Sequence, residues 1–155
     1  MDVQGPIWYR TMLQFSCSGD ASPKNPVIER SIMTFKGTIP PNVAGTPAWN
    51  LILHHENASG SAGRVLMRVA ASAFASGDTP SALTVIEPNT LLGVGASGDH
   101  NRSVLSASNY DSLVPVAASE HLVVELSRMP VRASGDTLGS HWYLTREPLL
   151  KIDVT

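Results

Sequence analysis

The clearest signal along the chain is a two-residue alternation of apolar and polar positions. From Trp49 to Glu56 the residues Trp49, Leu51, Leu53 and His55 fall on one side, and Asn50, Ile52, His54 and Glu56 on the other. From Arg64 to Phe74 the side made by Val65, Met67, Val69 and Ala71 opposes one carrying Arg64 and Arg68. From Glu120 to Arg128 the residues Leu122, Val124 and Leu126 share a side. A period of two is the strand period, so each run predicts a half-buried β-strand with those apolar sets turned to a core. Val27 to Ile39 predicts another strand, with Ile32 and Thr34 on one face and Met33 and Phe35 on the other; Pro40-Pro41 ends it, because proline has no N–H for the ladder. Ala82 to Glu87 and Val104 to Ser108 predict shorter strands, and Tyr110 to Leu113 a turn or a single helical turn. For the Ala-rich stretch Val69 to Ala75 a helix is the second reading.

Together with His141 to Leu144 and Pro148 to Thr155 near the end, about eight strands are expected. No segment sustains a long 3.6-residue period. Short strands between scattered Gly and Pro predict an all-β fold, an antiparallel β-sandwich of jelly-roll-like arrangement. The stretch Ile7 to Phe15 is mixed and reads as an N-terminal arm ending in a strand, followed by a polar loop from Ser16 to Pro26. The expected organisation is an arm and loop over residues 1–26 and a sandwich domain over 27–155.

Composition narrows the function classes. The chain has 155 residues, 43% hydrophobic and 15% charged, with a formal net charge of −2. That hydrophobic content argues against disorder, and the length suits one domain. The charge balance lacks the basic stripe of a nucleic-acid binder, and no run of Lys/Arg favours a membrane surface. Neither nucleic acid nor membrane is expected as a partner. A single cysteine, Cys17, excludes a disulfide framework within one chain. The start, Met-Asp-Val-Gln-Gly-Pro, does not read as a signal peptide, so synthesis in a cytoplasm is expected.

A tripeptide, Ser-Gly-Asp, recurs at Ser18, Ser76, Ser97 and Ser134, three times after Ala, each time between expected strands. Glycine accepts a positive φ and Asp bonds its own backbone, so the motif suits tight turns. A calcium loop is the competing reading, but it needs several oxygen ligands close in sequence and each copy supplies one carboxylate.

Catalytic motifs are sparse. Gly93, Gly95 and Gly98 spell Gly-x-Gly-x-x-Gly, but without the strand–helix context that a dinucleotide site needs. His54 and His55 are adjacent, so a strand turns them to opposite faces and away from one shared ion. No metal or other cofactor is expected. Asp20, Asp78, Asp99, Asp111 and Asp136 could supply a glycosidase pair only through contacts that spacing does not reveal. The constellation of most interest is Arg128, at the end of a strand, with Asp136-Thr137 eight residues on. A bidentate Arg–carboxylate bond could pin this hairpin or link two subunits; the alternative is an exposed pair of little consequence. Trp8, Tyr9 and Trp142 are candidate interface anchors, with core packing the alternative for each.

Three stretches carry a resemblance. Phe35-Lys-Gly-Thr-Ile-Pro-Pro-Asn42, Trp49 to Arg68 around Ala58-Ser-Gly-Ser-Ala-Gly63, and Leu122 to Leu144 with Arg128 and Asp136-Thr137-Leu138-Gly139 resemble small jelly-roll virion proteins of tailed bacteriophages. The group includes capsid decoration (cement) proteins and tail-associated domains. The three stretches look like that family's strand into an Ile-Pro loop, its central hairpin, and its C-terminal strand, Asp-Thr loop and strand. Ser140 stands where the family pattern often has another Asp, and Arg146-Glu-Pro148 interrupts the last strand. The resemblance implies a non-enzymatic virion protein: a homotrimer bound to the major capsid protein or another virion protein through sheet edges and the N-terminal arm. An arm of about 25 residues spans roughly 80 Å when extended. Trp8, Tyr9, Arg128, Asp136 and Trp142 are the expected interface residues. A host-glycan-binding tail or fibre domain, and a non-viral jelly-roll sugar-binding module or enzyme, are the alternative readings.

Overall fold

The computed structural model of the chain describes residues 14–15, 31–43, 45, 47–57, 61–79, 81–105, 110–128, 135–138, 142–145 and 148–152. The described residues form nine strands and one helical turn. In order these are β1 (Gln14–Phe15), β2 (Ser31–Thr38), β3 (Trp49–Asn57), β4 (Gly63–Phe74), β5 (Thr84–Val94), β6 (Asn101–Leu105), α1 (Tyr110–Leu113), β7 (His121–Arg128), β8 (Trp142–Leu144) and β9 (Leu149–Ile152). Every pairing is antiparallel. One sheet runs β2-β7-β4-β5. The other is built around β3, with β6 on one side and β8 and β9 on the other, and β1 beyond β8. The molecule is therefore an all-β sandwich.

The expected alternation sets the core. Trp49, Leu51 and Leu53 from one sheet meet Val65, Met67, Val69 and Ala71 and Leu122, Val124 and Leu126 from the other in one buried cluster. Met33 and Phe35 join it from β2 while Thr34 is exposed. Ala-rich 69–74 is strand, paired with β7 through Phe74↔His121, so sheet pairing overrides its helical leaning. Trp49 packs tilted against Tyr110, with 4.9 Å between ring centroids, and donates its indole N–H to the Val114 carbonyl at 3.0 Å.

Three features depart from the expectations. Trp49 to Arg68 is not a hairpin: β3 and β4 lie in different sheets, and the chain arches between them. Trp49, Leu51 and Leu53 of β3 and Val65, Met67, Val69 and Ala71 of β4 are apolar, and placing the strands in opposite sheets lets these residues pack on each other. Second, β5 runs on to Val94, through Pro88, where the strand was expected to stop at Glu87. The β4–β5 register slips between Met67 and Val69 and again between Val69 and Ala70, and this edge strand takes up its proline in that irregular stretch. Third, β8 and β9 lie end to end along the same side of β3: β8 pairs with His55–Asn57 and β9 with Trp49–Ile52. The Thr145 N–H bridges the break by donating to the His54 carbonyl at 2.9 Å. The interruption seen in the sequence at Arg146-Glu-Pro148 thus splits one strand position into two. Ile7 to Phe15 contributes β1, which pairs Gln14↔Tyr143 and Phe15↔Trp142; the remainder of the expected arm lies outside the described residues.

Candidate functional site

The chemistry of the described residues concentrates where the chain leaves β7. Arg128 is 2% and Asp136 6% exposed, and their side chains are almost completely shielded. The pair is bidentate: Arg128 Nε donates to Asp136 Oδ2 and Nη2 to Oδ1, both at 2.9 Å. Nη2 also donates to the Leu138 carbonyl. The carboxylate takes two further bonds, from the Leu138 N–H at 3.1 Å and the Leu66 N–H at 3.2 Å. Four donors match the acceptor capacity of an ionised carboxylate. That satisfaction is what allows a charge pair to sit in a low-dielectric interior.

The next residue extends the attachment. Thr137 Oγ1 accepts the Arg64 N–H at 2.9 Å, and the Thr137 N–H returns a bond to the Arg64 carbonyl at 2.9 Å. Residues 136–138 therefore lie beside the first residues of β4, just past the point where Arg128 of β7 faces Met67. Leu138, 2% exposed, fills the core at that point. Gly63 makes room for it: a Cβ there would lie 3.2 Å from the Leu138 Cα. The Arg–Asp pair ties the end of β7 to residues 136–138 beside β4 and so fixes where the chain leaves this sheet. Of the two readings of Arg128 and Asp136, the structure displays a shielded pin within the chain.

The other three expected interface residues are placed as follows. Trp142 is 0% exposed and packs on His55, with 5.3 Å between ring centroids. Trp8 and Tyr9 lie outside the described residues.

Two Ser-Gly-Asp copies form the expected turns. Asp78 N–H donates to the Ala75 carbonyl at 3.1 Å, and Asp99 N–H to the Ala96 carbonyl at 3.0 Å. Gly77 (φ 95°) and Gly98 (φ 88°) take the third position, which marks a type II turn. Asp99 closes its own turn by accepting the Ala96 N–H at 3.1 Å. The copy at Ser134 keeps the positive φ at Gly135 but directs its Asp inward to Arg128. The copy at Ser18 lies outside the described residues.

A second polar centre was invisible in the sequence. His55 is 0% exposed, and its Nε2 lies 2.8 Å from Ser103 Oγ on β6. Burial, and secondarily the neighbouring His54, lower its pKa from 6.5 to about 4, so the ring is neutral at pH 7. The Nδ1 atom has no hydrogen-bond partner among the described residues. A histidine and a serine at this distance have the spacing of a base and a nucleophile. A base also needs an orienting group on its other nitrogen, and among the described residues this one has none. Its inward face was legible from alternation with Leu51 and Leu53. Ser103 was not, because it arrives through a pairing of β3 with β6, and two strands of the other sheet lie between them in the chain. His54 lies on the opposite face, as expected, and among the described residues no three His, Cys, Asp or Glu side chains converge as a metal would require.

No family model, no curated protein and no solved structure matches the chain.

Proposed function

We propose that the chain is a non-enzymatic structural protein of a tailed-phage virion, and within that setting a capsid decoration protein that trimerises and clamps the major capsid lattice. The observation that carries this reading is the Arg128–Asp136 pin. The segment with the resemblance, Leu122 to Leu144, uses its strongest polar chemistry to hold the chain course between two sheets. Its charges are bonded to one another and to backbone. A clamp on a lattice benefits from rigid, pre-organised elements of this kind, because less ordering entropy opposes binding. The N-terminal residues Trp8 and Tyr9 and the sheet edges are the proposed contacts with neighbouring subunits and capsid.

Light scattering of the purified chain at micromolar concentration, followed by sedimentation with capsids that lack decoration, tests the proposal. The expected result is a mass three times the 16.5 kDa of one chain and co-sedimentation with the capsids. A monomer that fails to co-sediment would overturn it.

A further inference from the structure

The outer face of the β3 sheet breaks its own alternation. Asn50, His54 and Glu56 are half-buried there, but Ile52 on the same face is only 7% exposed. Register explains the neighbours: Ile52 lies directly opposite Val104 of β6 on one side and Leu149 of β9 on the other. The three make an apolar row across three strands. Val104 is 44% exposed and Leu149 half-buried, so the two ends of the row reach solvent while its centre is covered. Directly opposed residues on one face touch, so Val104 and Leu149 shield Ile52 from its two sides.

Cations bracket the row at opposite corners. Arg102 faces His54 one step along from Val104, and Lys151 faces Asn50 one step along from Leu149; both are exposed. The carboxylate on the β3 part of this face, Glu56, is 3.4 Å from His100 Nδ1. A chain with net charge −2 thus presents here an apolar centre between two positive corners. From strand geometry the corners are about 16 Å apart, from four residue steps of ~3.4 Å and two strand spacings of ~4.8 Å. An extended polypeptide covers that span in about five residues.

We propose that this face binds an extended acidic polypeptide segment with one large apolar side chain between two carboxylates. The apolar side chain lies on the Val104–Ile52–Leu149 row, and the carboxylates meet Arg102 and Lys151. The small area of the face suits a segment and not a folded domain, because standard interfaces bury about 800 Å² per partner. Two cations beside a carboxylate are a poor match for a nucleic acid, which is held by many phosphate contacts. The inference stands apart from the virion reading, since it concerns the chemistry of the face and not the source of the segment.

The test is a titration of the isotope-labelled full chain with a synthetic Gly-Ser peptide that carries two Glu about five residues apart and a Phe between them. Amide shifts centred on Ile52, Val104 and Leu149 are expected. Affinity should fall about tenfold in Val104→Asp, and about fivefold in each of Arg102→Glu and Lys151→Glu, with a further fall as salt rises. All three substitutions are at exposed positions, and an unchanged thermal melt checks that the fold survives. A peptide with Lys in place of Glu should not bind. The proposal is overturned if the acidic peptide gives no shifts at this face. It is also overturned if the three variants bind as the parent does, or if a single-stranded DNA oligonucleotide or anionic vesicles bind there more tightly than the peptide.

Discussion

Two copies of one tripeptide end differently in this molecule. At Ser97-Gly98-Asp99 the carboxylate bends back to the Ala96 N–H of its own turn and stays exposed. At Gly135-Asp136 the carboxylate enters the interior and takes two bonds from Arg128 and two from backbone. Both glycines keep a positive φ. The local backbone is therefore set by the tripeptide, and the energetic weight by what the rest of the fold brings to the acid. One Asp serves a turn of four residues. The other ties the end of β7, the start of β4 and the crossing between sheets.

The difference predicts very unequal costs. Asp136→Ala leaves the Arg128 guanidinium buried without its carboxylate, and stability to urea should fall by about 3–5 kcal/mol. Asp99→Ala removes an exposed bond within one turn, and the same urea titration should register a change of about 0.5 kcal/mol or less.

Between those extremes lies His55, buried like Asp136 but with an incomplete set of partners. Its folded pKa of about 4 is below the unfolded value near 6.5, so the unfolded chain takes up the proton first. Its contribution is complete above pH 6.5, declines as pH falls toward 4, and levels off below that. The total is about 3 kcal/mol from a shift of that size, at 1.36 kcal/mol per pH unit. Unfolding free energies measured from pH 7 to 4 should show this slope in the parent, and a much flatter one in His55→Gln.

One small effect has the opposite sign. The turn Ala117-Ala118-Ser119-Glu120 is closed by the Glu120 N–H donating to the Ala117 carbonyl at 3.2 Å, and Ser119 has a φ of 65°. That is the position glycine holds in the two Ser-Gly-Asp turns. Ser119→Gly relieves a left-handed serine and should raise the thermal midpoint, with a gain of about 0.5–1 kcal/mol. A fall in the midpoint would mean that the serine contributes more than its backbone strain costs.

Much of the sandwich was legible because its strands bury one face. Alternation at Trp49 to His55, Val65 to Ala71 and Leu122 to Leu126 assigned the inner residues, and they form the core. What alternation cannot reveal is which strands are neighbours. Trp49 to Arg68 read as a hairpin, but an arch between sheets shows the same local pattern of apolar residues. Strand β5 was expected only to Glu87 but runs on through Pro88, which an irregular edge register absorbs. The candidate site divides in the same way. Arg128 and Asp136 could be singled out by residue type and spacing, since an Arg at a strand end and an Asp after a turn are separated by one loop. Their burial could not, because it depends on β4 and Leu138 closing over them. The His55–Ser103 contact left no trace in sequence order.

The central claim is that Arg128 and Asp136 act as one unit at the neck of the β7–β8 crossing. A double-mutant cycle measures this directly: urea unfolding of the parent, Arg128→Met, Asp136→Leu and the double variant. Each single substitution strands a buried charge, and each should lose about 3 kcal/mol or more. The double variant removes both charges together, so its loss should be well below the sum of the singles, with a coupling of about 2 kcal/mol or more. Two small losses that simply add would contradict the account, because the pair would then behave as two independent side chains.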